Sequence, residues 1–320
     1  MNIPVVSVCI ATYNQGRYIK DCIVSAVAQI ADTSIEVLVG DDGDDPETTK
    51  IVEDLSRDYP GIIQYYKHER NVGPAANYQF LIERARGNYV AHLDGDDMWM
   101  PGKLLAQIRW LEAHPESMAC YTNAVVVSDT QEVRGAFSSP VIDNIDLDFL
   151  LSKGNFLNHS SMLYRASCKQ LLLDINGPFI DYRIHLNMAN LNYIGLLNAA
   201  YVVYRVGSEH SMVRRTPGLV QDLYFDAISL TVNMQKVSVK VRRRALRNFW
   251  RHIVMECIVN MRLRWALSWA KKIKFGYPND FTIVLISGAV EAFGSVVALV
   301  IRRYGGQLLG LNNLRILNER

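Results

Sequence analysis

The sequence predicts an α/β protein whose core is a mostly parallel sheet flanked by helices, followed by a helical C-terminal extension. Over the first 130 residues, short β-branched apolar runs alternate with segments of helical spacing. Such alternation predicts parallel strands joined by right-handed helical crossovers. Apolar residues make up 49% and charged residues 21% of the 320-residue chain, which is typical of a folded globular protein.

The predicted elements follow one another in a regular order. The first apolar run, at 5–11, predicts a strand buried on both faces, and the segment at 17–29 has the spacing of an amphipathic helix. The remaining predicted strands are 35–40, 62–68, 88–93 and 118–127, and the remaining predicted helices are 46–59, 76–85 and 103–114.

Polar residues follow the first four predicted strands. They are Thr12-Tyr13-Asn14, Asp41-Asp42, Asn71-Val72-Gly73 and Asp94-Gly95-Asp96-Asp97. Because the carboxyl ends of parallel strands meet at one edge, where ligands bind in such sheets, we expect a single site there. The sequence carries neither a Gly-x-Gly-x-x-Gly dinucleotide fingerprint after the first strand nor a Gly-Lys-Ser/Thr phosphate loop.

The aspartates of residues 94–97 raise an electrostatic question. Three like charges within four positions repel one another unless a positive partner neutralises them. Carboxylate oxygens suit Mg²⁺ or Mn²⁺, which is commonly held by one or two carboxylates together with waters and substrate phosphates. Gly95 predicts room for a bulky ligand beside the backbone. The alternative interpretation is that these acids only cap the helix after Pro101.

Three segments together resemble the nucleotide-sugar domain of glycosyltransferase family 2, which has the GT-A fold. They are VSVCIATYNQGRYIKDCIVSAVAQ, EVLVGDDGDD and NVGPAANYQFLIERARGNYVAHLDGDDMWMPGKL. The resemblance is close over residues 4–130 and looser to about 215. It implies an inverting transferase that uses a nucleoside-diphosphate sugar, by family habit a UDP-sugar, and a divalent cation, Mn²⁺ or Mg²⁺.

The resemblance also implies a division of the chain. Residues 1–130 would form the half of the GT-A domain that binds nucleotide sugar and metal. Residues 131–216 would form the acceptor-binding half, and residues 217–320 a helical, basic C-terminal region.

Several donor-site roles carry over from the family motifs. Thr12, Tyr13 and Asn14 match the segment that lines the base pocket. Asp42, together with Asp41, matches the acid that accepts a hydrogen bond from the base.

The Asp94-Gly95-Asp96 segment matches the family's D-x-D pair. Asp96 is the first choice for direct metal contact, and Asp94 would face the ribose or a metal-bound water. Trp99 is a candidate to stack on a sugar face, although it is also a candidate core residue.

The catalytic base is expected in the later part of the domain. Inversion needs a general base for the acceptor hydroxyl, and Asp181 matches the family's acid at the start of a helix. The alternative is that Asp181 is an N-cap, with Asp174 as the second candidate base. Arg205 and His210 resemble an arginine–histidine element near the diphosphate, and a salt bridge is the alternative for Arg205. His159 either lines the acceptor pocket or is a satisfied, partly buried histidine.

The C-terminal region has a distinct charge pattern. Residues 236–274 hold twelve Lys and Arg against one acid, interleaved with large apolar side chains. This pattern predicts either an interfacial helix on an anionic membrane or a subdomain with a solvated basic face, and nucleic acid is disfavoured as its partner. The run at 281–301 predicts a buried or interfacial helix rather than a simple membrane span, because Glu291 lies near its centre.

The predicted function is that of a transferase acting on a hydroxyl of a glycan or lipid-linked saccharide in polysaccharide biosynthesis. The alternative is a non-catalytic protein that binds nucleotide sugars on the same fold. A nucleotidyltransferase is disfavoured, because ATYNQGR stands where its phosphate loop is expected. Five widely spaced cysteines without a Cys-x-x-Cys pair, and no secretory signal, predict a cytoplasmic location, peripheral at the inner face of the cell membrane.

Overall fold

The computed structural model describes residues 4–139, 143–207, 216–234, 236–309 and 315–318. The strands are β1 (Val6–Thr12), β2 (Ile35–Asp41), β3 (Ile63–Lys67), β4 (Tyr89–Asp94), β5 (Met98–Trp99), β6 (Ala119–Ser128), β7 (Val133–Ser138), β8 (Asn144–Ile145), β9 (Leu163–Arg165), β10 (Ile194–Val206) and β11 (Arg315–Asn318).

The helices alternate with the first strands and then dominate the C-terminal part. They are α1 (Gly16–Val27), α2 (Pro46–Asp58), α3 (Pro74–Arg84), α4 (Lys103–Ala113), α5 (Leu147–Lys153), α6 (Lys169–Leu173), α7 (Asp181–Leu191), α8 (Pro217–Val232), α9 (Val239–Asn260), α10 (Leu263–Gly276) and α11 (Phe281–Leu309). The strands and helices predicted up to residue 130 are therefore confirmed, with ends that differ by only a few residues.

The first four strands are parallel neighbours in the order β3-β2-β1-β4. The register pairs Thr12 with Asp41 and Ala11 with Asp94, so β1, β2 and β4 end at the same level. This register brings three of the four predicted polar clusters to one edge of the sheet. The fourth cluster follows β3, which ends opposite Asp41 at Lys67.

Beyond β4 the sheet becomes mixed. The short strand β9 is antiparallel to both β4 and β6 and separates them, although the sequence suggested simple continuation of the parallel order. The long strand β10 is parallel to β6 and antiparallel to β5 and β8. The α/β class with a mostly parallel sheet is confirmed, and the antiparallel additions come from segments far away in the chain.

Apolar burial holds in place the strands that end at the polar clusters. All seven residues of β2 are buried, and β1 is buried except at Ala11, as expected for strands covered on both faces. On α1, Ile19, Cys22 and Ile23 are completely buried against this sheet. Because apolar side chains pack closely against both faces of these strands, the polar side chains at their ends are held in defined positions.

The chain divides into two compact units. One comprises Met1–Leu147, Phe156–Tyr224 and Arg315–Arg320, and the other Asp148–Asn155 and Phe225–Leu314. The functional division at residue 130 stays a prediction.

The second unit contains a helical core. The rings of Phe225, Phe249 and Trp269 meet with centroids 4.9–5.4 Å apart. Asp280 accepts hydrogen bonds from the Nε of Arg242 (2.8 Å) and of Arg243 (2.6 Å) at the start of α11. The predicted helix at 281–301 is confirmed as part of α11. Among the described residues, none of the helices has the length and apolar character needed to cross a membrane.

Candidate active site

Asn14 joins the end of β1 to the loop after β2. Its Oδ1 accepts hydrogen bonds from the backbone N–H of Asp44 (2.8 Å) and of Asp45 (3.0 Å). Asn14 has a φ of 53°, a left-handed conformation that asparagine tolerates better than most residues. A Cβ on Gly43 would lie 2.1 Å from Asn14 Oδ1, so the close approach requires glycine at position 43. Tyr13, between Thr12 and Asn14 in the chain, is half-buried.

Gly95 is explained by crowding rather than by an open space. A Cβ at this position would lie 2.3 Å from Gln15 Oε1 and 2.9 Å from Thr12 Oγ1. Thr12 is buried and its hydroxyl donates to Gln15 Oε1 at 2.9 Å. The expected room for a ligand at Gly95 is therefore filled by protein side chains, which lets the ends of β1 and β4 meet.

Asp41 is enclosed by donors from the protein itself. The side chain is completely buried, and one carboxylate oxygen accepts from Tyr65 Oη and Lys67 Nζ, both at 2.8 Å. The other oxygen accepts from the backbone N–H of Gly43 at 3.0 Å. Asp41 is thus hydrogen-bonded to the 43–45 loop, to which Asn14 is also hydrogen-bonded. We infer that Asp41 helps to hold this loop in place.

Asp42 connects the ends of β2 and β3. Its two carboxylate oxygens accept the backbone N–H groups of Val72 (2.6 Å) and Gly73 (2.9 Å), and its own N–H donates to Thr12 O (3.0 Å). Asn71 donates its side-chain amide to Asp42 O at 3.2 Å. The predicted convergence of the first three polar clusters is therefore a network of hydrogen bonds centred on Asp42.

Ser160 forms hydrogen bonds with the acidic turn, which we define as residues 94–97. The Ser160 hydroxyl lies 2.5 Å from Asp97 Oδ2 and 3.3 Å from Asp94 Oδ2, and Asp94 N–H donates to Ser160 Oγ at 3.1 Å. Asp97 is buried, whereas the side chain of Asp94 is 43% exposed and Asp96 is half-buried. The turn therefore presents Asp94 and Asp96 outward and keeps Asp97 inside.

Burial and hydrogen bonding shift the pKa values of Asp97 and Asp94 in opposite directions. Burial, with the nearby charges of Asp96 and Asp94, raises the pKa of Asp97 well above its usual value. Burial also disfavours ionised Asp94, but the His92 imidazole and the Ser160 hydroxyl outweigh this effect and hold the pKa of Asp94 below its usual value. Within the described residues, Asp97 accepts hydrogen bonds from the Arg205 backbone N–H (2.9 Å) and the Ser160 hydroxyl, which are neutral donors.

Arg205, on β10, packs against the acidic turn. Its Nε donates to the backbone oxygen of Asp96 at 3.1 Å, and its guanidinium carbon lies 4.5 Å from the centre of the Tyr18 ring. Arg205 is buried, and within the described residues it forms no ion pair, so the salt-bridge alternative is not observed. The structure places Arg205 beside the D-x-D turn, while its predicted partner His210 lies outside the described residues.

Trp99 is a core residue in this structure. It is 4% exposed, its indole N–H donates to Ser160 O at 2.7 Å, and Lys103 Nζ lies 4.0 Å from the centre of its ring. A ring covered in this way is not available to a sugar. The placement favours the core interpretation over sugar stacking, and it makes Trp99 a support for Ser160.

Three histidines line up behind the acidic turn. His92 Nε2 contacts Asp94 Oδ1 at 2.9 Å, the rings of His92 and His159 are centred 4.0 Å apart, and His159 Nδ1 lies 3.3 Å from His185 Nε2. Burial, with the other histidines, lowers the pKa of His159 well below its usual value, and burial with His92 lowers that of His185 to about 3. His159 and His185 are therefore neutral at physiological pH.

Asp181 is the first residue of α7, and Ile180 occupies the N-cap position. Asp181 Oδ1 accepts the N–H of Tyr182 at 2.7 Å, and the side chain is half-buried. The pKa of Tyr204 is raised by burial and by the charges of the acidic turn and of Asp181, so Tyr204 lies within range of both. Asp174, the second candidate base, is exposed at the end of α6 and accepts from Gln170 at 2.7 Å.

The donor atoms at the acidic turn suit a hard cation, but the protein supplies only part of a coordination shell. Among the described residues there is no group of three or more His, Cys, Asp or Glu side chains arranged to hold a metal ion. Mg²⁺-type ions characteristically take one or two carboxylates and complete their shell with water and substrate phosphate. Asp94 and Asp96 therefore fit a cation that arrives with a diphosphate.

The family model described as "Glycosyl transferase family 2" matches residues 7–171, which is just over half of the chain. The chain belongs to this family. An uncharacterized Mycobacterium tuberculosis protein, Rv1520, is 29% identical over 203 residues, covering 62% of this chain and 58% of the relative. The chain therefore spans less than two thirds of that relative. An Escherichia coli protein, named UDP-Glc:alpha-D-GlcNAc-diphosphoundecaprenol beta-1,3-glucosyltransferase WfaP, is 29% identical over 57% of this chain and 69% of the relative.

Solved structures share the fold at low sequence identity. Staphylococcus aureus TarS residues 1–349, in complex with UDP-GlcNAc, is similar with a TM-score of 0.68 and 17% identity, over 94% of this chain and 92% of that one. The mannosyltransferase PcManGT from Pyrobaculum calidifontis, in complex with GDP-Man and Mn²⁺, has a TM-score of 0.55 and 16% identity, over 92% and 88%. These likenesses confirm the GT-A fold.

Sequence analysis missed the residues that support the acidic turn. His92 precedes Asp94 by two positions on β4, so strand alternation already puts both on one face of the sheet. Ser160 gives no such signal, because its 3-10 turn reaches β4 only through the tertiary fold. His185 on α7 likewise becomes visible only when the helix packs.

Proposed function

We propose that this chain is a metal-dependent inverting glycosyltransferase. It would move a sugar from a nucleoside-diphosphate donor, a UDP-sugar foremost, to a hydroxyl of a glycan or lipid-linked saccharide in polysaccharide biosynthesis. The observation that carries the proposal is the acidic turn, because Asp94 and Asp96 lie partly exposed at the shared edge of the strands and carry the carboxylates that suit a hard divalent cation. Family membership supports the reaction class.

The donor would lie along the edge formed by β1, β2 and β4. Thr12, Tyr13 and Asn14 are proposed to line the base pocket, with Asp42 as the acid nearest the base. Asp96 is proposed to hold the divalent cation, with Asp94 behind it toward the ribose. A cation bound there supplies positive charge that offsets the diphosphate and stabilises it as a leaving group.

Asp181 is proposed as the general base. The acceptor hydroxyl oxygen forms a bond to the anomeric carbon while the bond from that carbon to the diphosphate breaks on the opposite side. Asp181 takes the hydroxyl proton as this happens, and the nucleoside diphosphate leaves with the bonding electrons. Arg205 is proposed to support this site by keeping the backbone of the acidic turn in position.

The donor and acceptor classes draw support from named relatives. The TarS complex contains UDP-GlcNAc, whereas the PcManGT complex contains GDP-Man and Mn²⁺, so a donor test must include both nucleotides. The name of WfaP specifies a diphosphoundecaprenol-linked acceptor, which supports a lipid-linked acceptor for this chain.

The test is a panel of UDP- and GDP-sugars, each with and without Mn²⁺, read first by thermal stabilisation and then by product formation. A bound donor raises the melting temperature by linkage, and the correct donor and acceptor give a glycoside. Asp96→Ala should abolish transfer, whereas the exposed Asp58→Ala on α2 should not change it. Stabilisation without transfer under every condition, unaffected by Asp181→Asn, would instead indicate a non-catalytic binding protein.

A further inference from the structure

The turn between α9 and α10 exposes apolar side chains to water. Val259 is 75% exposed, Met261 88%, Leu263 66% and Leu267 55%. Met261 adopts a left-handed backbone at the end of α9, and Leu263 begins α10 directly afterwards. These residues lie at the junction of the two helices, and we call them together the turn patch.

A second apolar surface lies on α11. Ile283, Ile286, Val290 and Phe293 are each 51–67% exposed, and their spacing of three and four residues puts them on one side of the helix. We call this side the α11 face. In helices of water-soluble proteins the side that faces water is normally polar.

The opposite side of α11 is already used for packing. Val284, Gly288 and Ala292 are buried, and a Cβ at Gly288 would lie 2.8 Å from the Trp250 side chain on α9. The Trp250 indole also donates to Leu285 O at 3.1 Å. Because one side of α11 packs against α9, the α11 face is the side of this helix that stays exposed.

Basic side chains accompany the apolar surface. Arg262 and Arg264 are exposed within the turn patch, and Lys271, Lys272 and Lys274 are exposed along α10. In the described part of the chain, neither Arg262 nor Arg264 forms an ion pair, in contrast to Arg242 and Arg243, which meet Asp280. The unit therefore offers uncompensated positive charge next to exposed apolar side chains.

We propose that the turn patch and the α11 face dock on an anionic lipid surface. Apolar side chains would enter the boundary between headgroups and acyl chains while Arg262 and Arg264 meet the acidic headgroups. Lys and Arg suit this position because their aliphatic stems follow the apolar side chains as their charges reach the headgroups.

Charge favours a lipid surface over a second copy of the chain. A symmetric dimer through this surface would bring the same patch of each copy together, so the arginines of both copies would face one another. Like charges brought together across an interface are unfavourable. An anionic bilayer satisfies the apolar and basic groups at once, whereas self-association satisfies only the apolar ones.

The test measures sedimentation of the full chain with vesicles, without donor or acceptor, so its outcome is independent of the proposed activity. Vesicles are phosphatidylcholine alone or with one quarter phosphatidylglycerol. We expect binding to the anionic vesicles only, with loss on raising salt from about 0.1 M to about 1 M, which shortens the screening length from roughly 10 to roughly 3 Å.

Two variants separate the apolar and the charged contributions. Met261→Ser with Leu263→Ser should lower partitioning about tenfold or more through lost apolar insertion. Arg262→Glu with Arg264→Glu should also lower it more than tenfold, since each basic group near an anionic surface contributes about a fivefold factor. The matched controls are Val133→Ser and Arg109→Glu, which change exposed residues of the other unit and should leave partitioning unchanged.

The proposal is overturned if the variants bind vesicles as the unsubstituted chain does, or if neutral vesicles bind equally well. It is also overturned if light scattering shows a dimer that Met261→Ser with Leu263→Ser dissociates, because the surface would then be a contact between copies. Circular dichroism melting verifies that each variant is folded.

Discussion

The acidic strand ends on either side of β1 are built in opposite ways. At the end of β2, Asp41 and Asp42 are surrounded by donors from Tyr65, Lys67 and four backbone or side-chain amides. At the end of β4, Asp94 and Asp97 meet each other, Asp96 and a few donors led by Ser160. The carboxylates at the first end are buried and accept several hydrogen bonds from the protein, whereas Asp94 and Asp96 at the second end are partly exposed. Similar acidic sequences can therefore differ in how far the protein itself encloses their carboxylates.

The largest expected effect is on the rate of the chemical step, from a substitution that lies outside both strand ends. Asp181→Asn should lower the transfer rate by roughly 10²- to 10⁴-fold, the usual contribution of a general base. Donor binding should change little, because Asp181 is assigned to the acceptor side. Asp174→Asn, at an exposed turn, is the matched control and should keep full activity. If the control loses activity and Asp181→Asn does not, the assignment of the base is wrong.

A second prediction probes the support of the acidic turn. His92→Phe keeps a ring in the same buried place but removes the contact to Asp94 Oδ1. Loss of such an orienting partner commonly weakens metal affinity by about 10- to 100-fold. The Mn²⁺ concentration for half-maximal transfer should rise by that factor, with activity restored at saturating Mn²⁺. His114→Phe, at the C-cap of α4, should not shift the Mn²⁺ titration. An unchanged titration for His92→Phe would remove His92 from the site.

A substitution at the end of β2 should change the stability of the protein rather than its affinity for metal. Asp42→Asn can accept only one of the two N–H groups of Val72 and Gly73, so one partly buried hydrogen bond is lost. We expect a loss of roughly 1–3 kcal/mol in the free energy of unfolding, measured by urea titration. Asp44→Asn, at an exposed neighbour, should cost less than about 0.5 kcal/mol. Equal effects of the two changes would contradict the view that Asp42 joins the strand ends.

The pH dependence of stability should reflect Lys103, whose ammonium lies over the Trp99 ring. It is completely buried, its Nζ donates to Gln107 Oε1 at 2.8 Å, and burial lowers its pKa to about 7. Between this value and the unfolded value of about 10.5, the unfolded chain holds a proton that the folded chain has lost. Stability should therefore rise with pH across that window by about 1.4 kcal/mol per pH unit.

Lys103→Met should remove this rise, because the apolar side chain does not titrate. The difference in unfolding free energy between the variant and the unsubstituted chain, followed by urea titration from pH 7 to above 10, isolates the contribution of Lys103. The exposed Lys50→Met is the control. A parallel pH dependence in Lys103→Met and the unsubstituted chain would show that Lys103 stays charged.

The sequence alone predicted that both acidic segments lie at one edge of the sheet, because local patterns located the strands that precede them. The β-branched runs and the proline positions sufficed for β1 to β4 and their helices. The antiparallel insertion of β9, the burial of Trp99 and the crowding at Gly95 were not predictable, because each depends on segments that meet only in the tertiary fold. The same holds for Ser160, which lies 63 residues from Asp97 in the chain.

The central proposal is that Asp96, in the acidic turn, holds a divalent cation that arrives with the nucleoside diphosphate. The most direct test is the unfolding free energy of the unsubstituted chain and of Asp96→Asn, each with and without Mn²⁺ and UDP. Without ligand, Asp96→Asn should be more stable by roughly 0.5–1 kcal/mol, because one repelling charge is gone. With saturating Mn²⁺ and UDP, the unsubstituted chain should gain about 2.7 kcal/mol at a hundredfold excess over its dissociation constant, and Asp96→Asn little or nothing. Equal gains for both proteins would contradict the account.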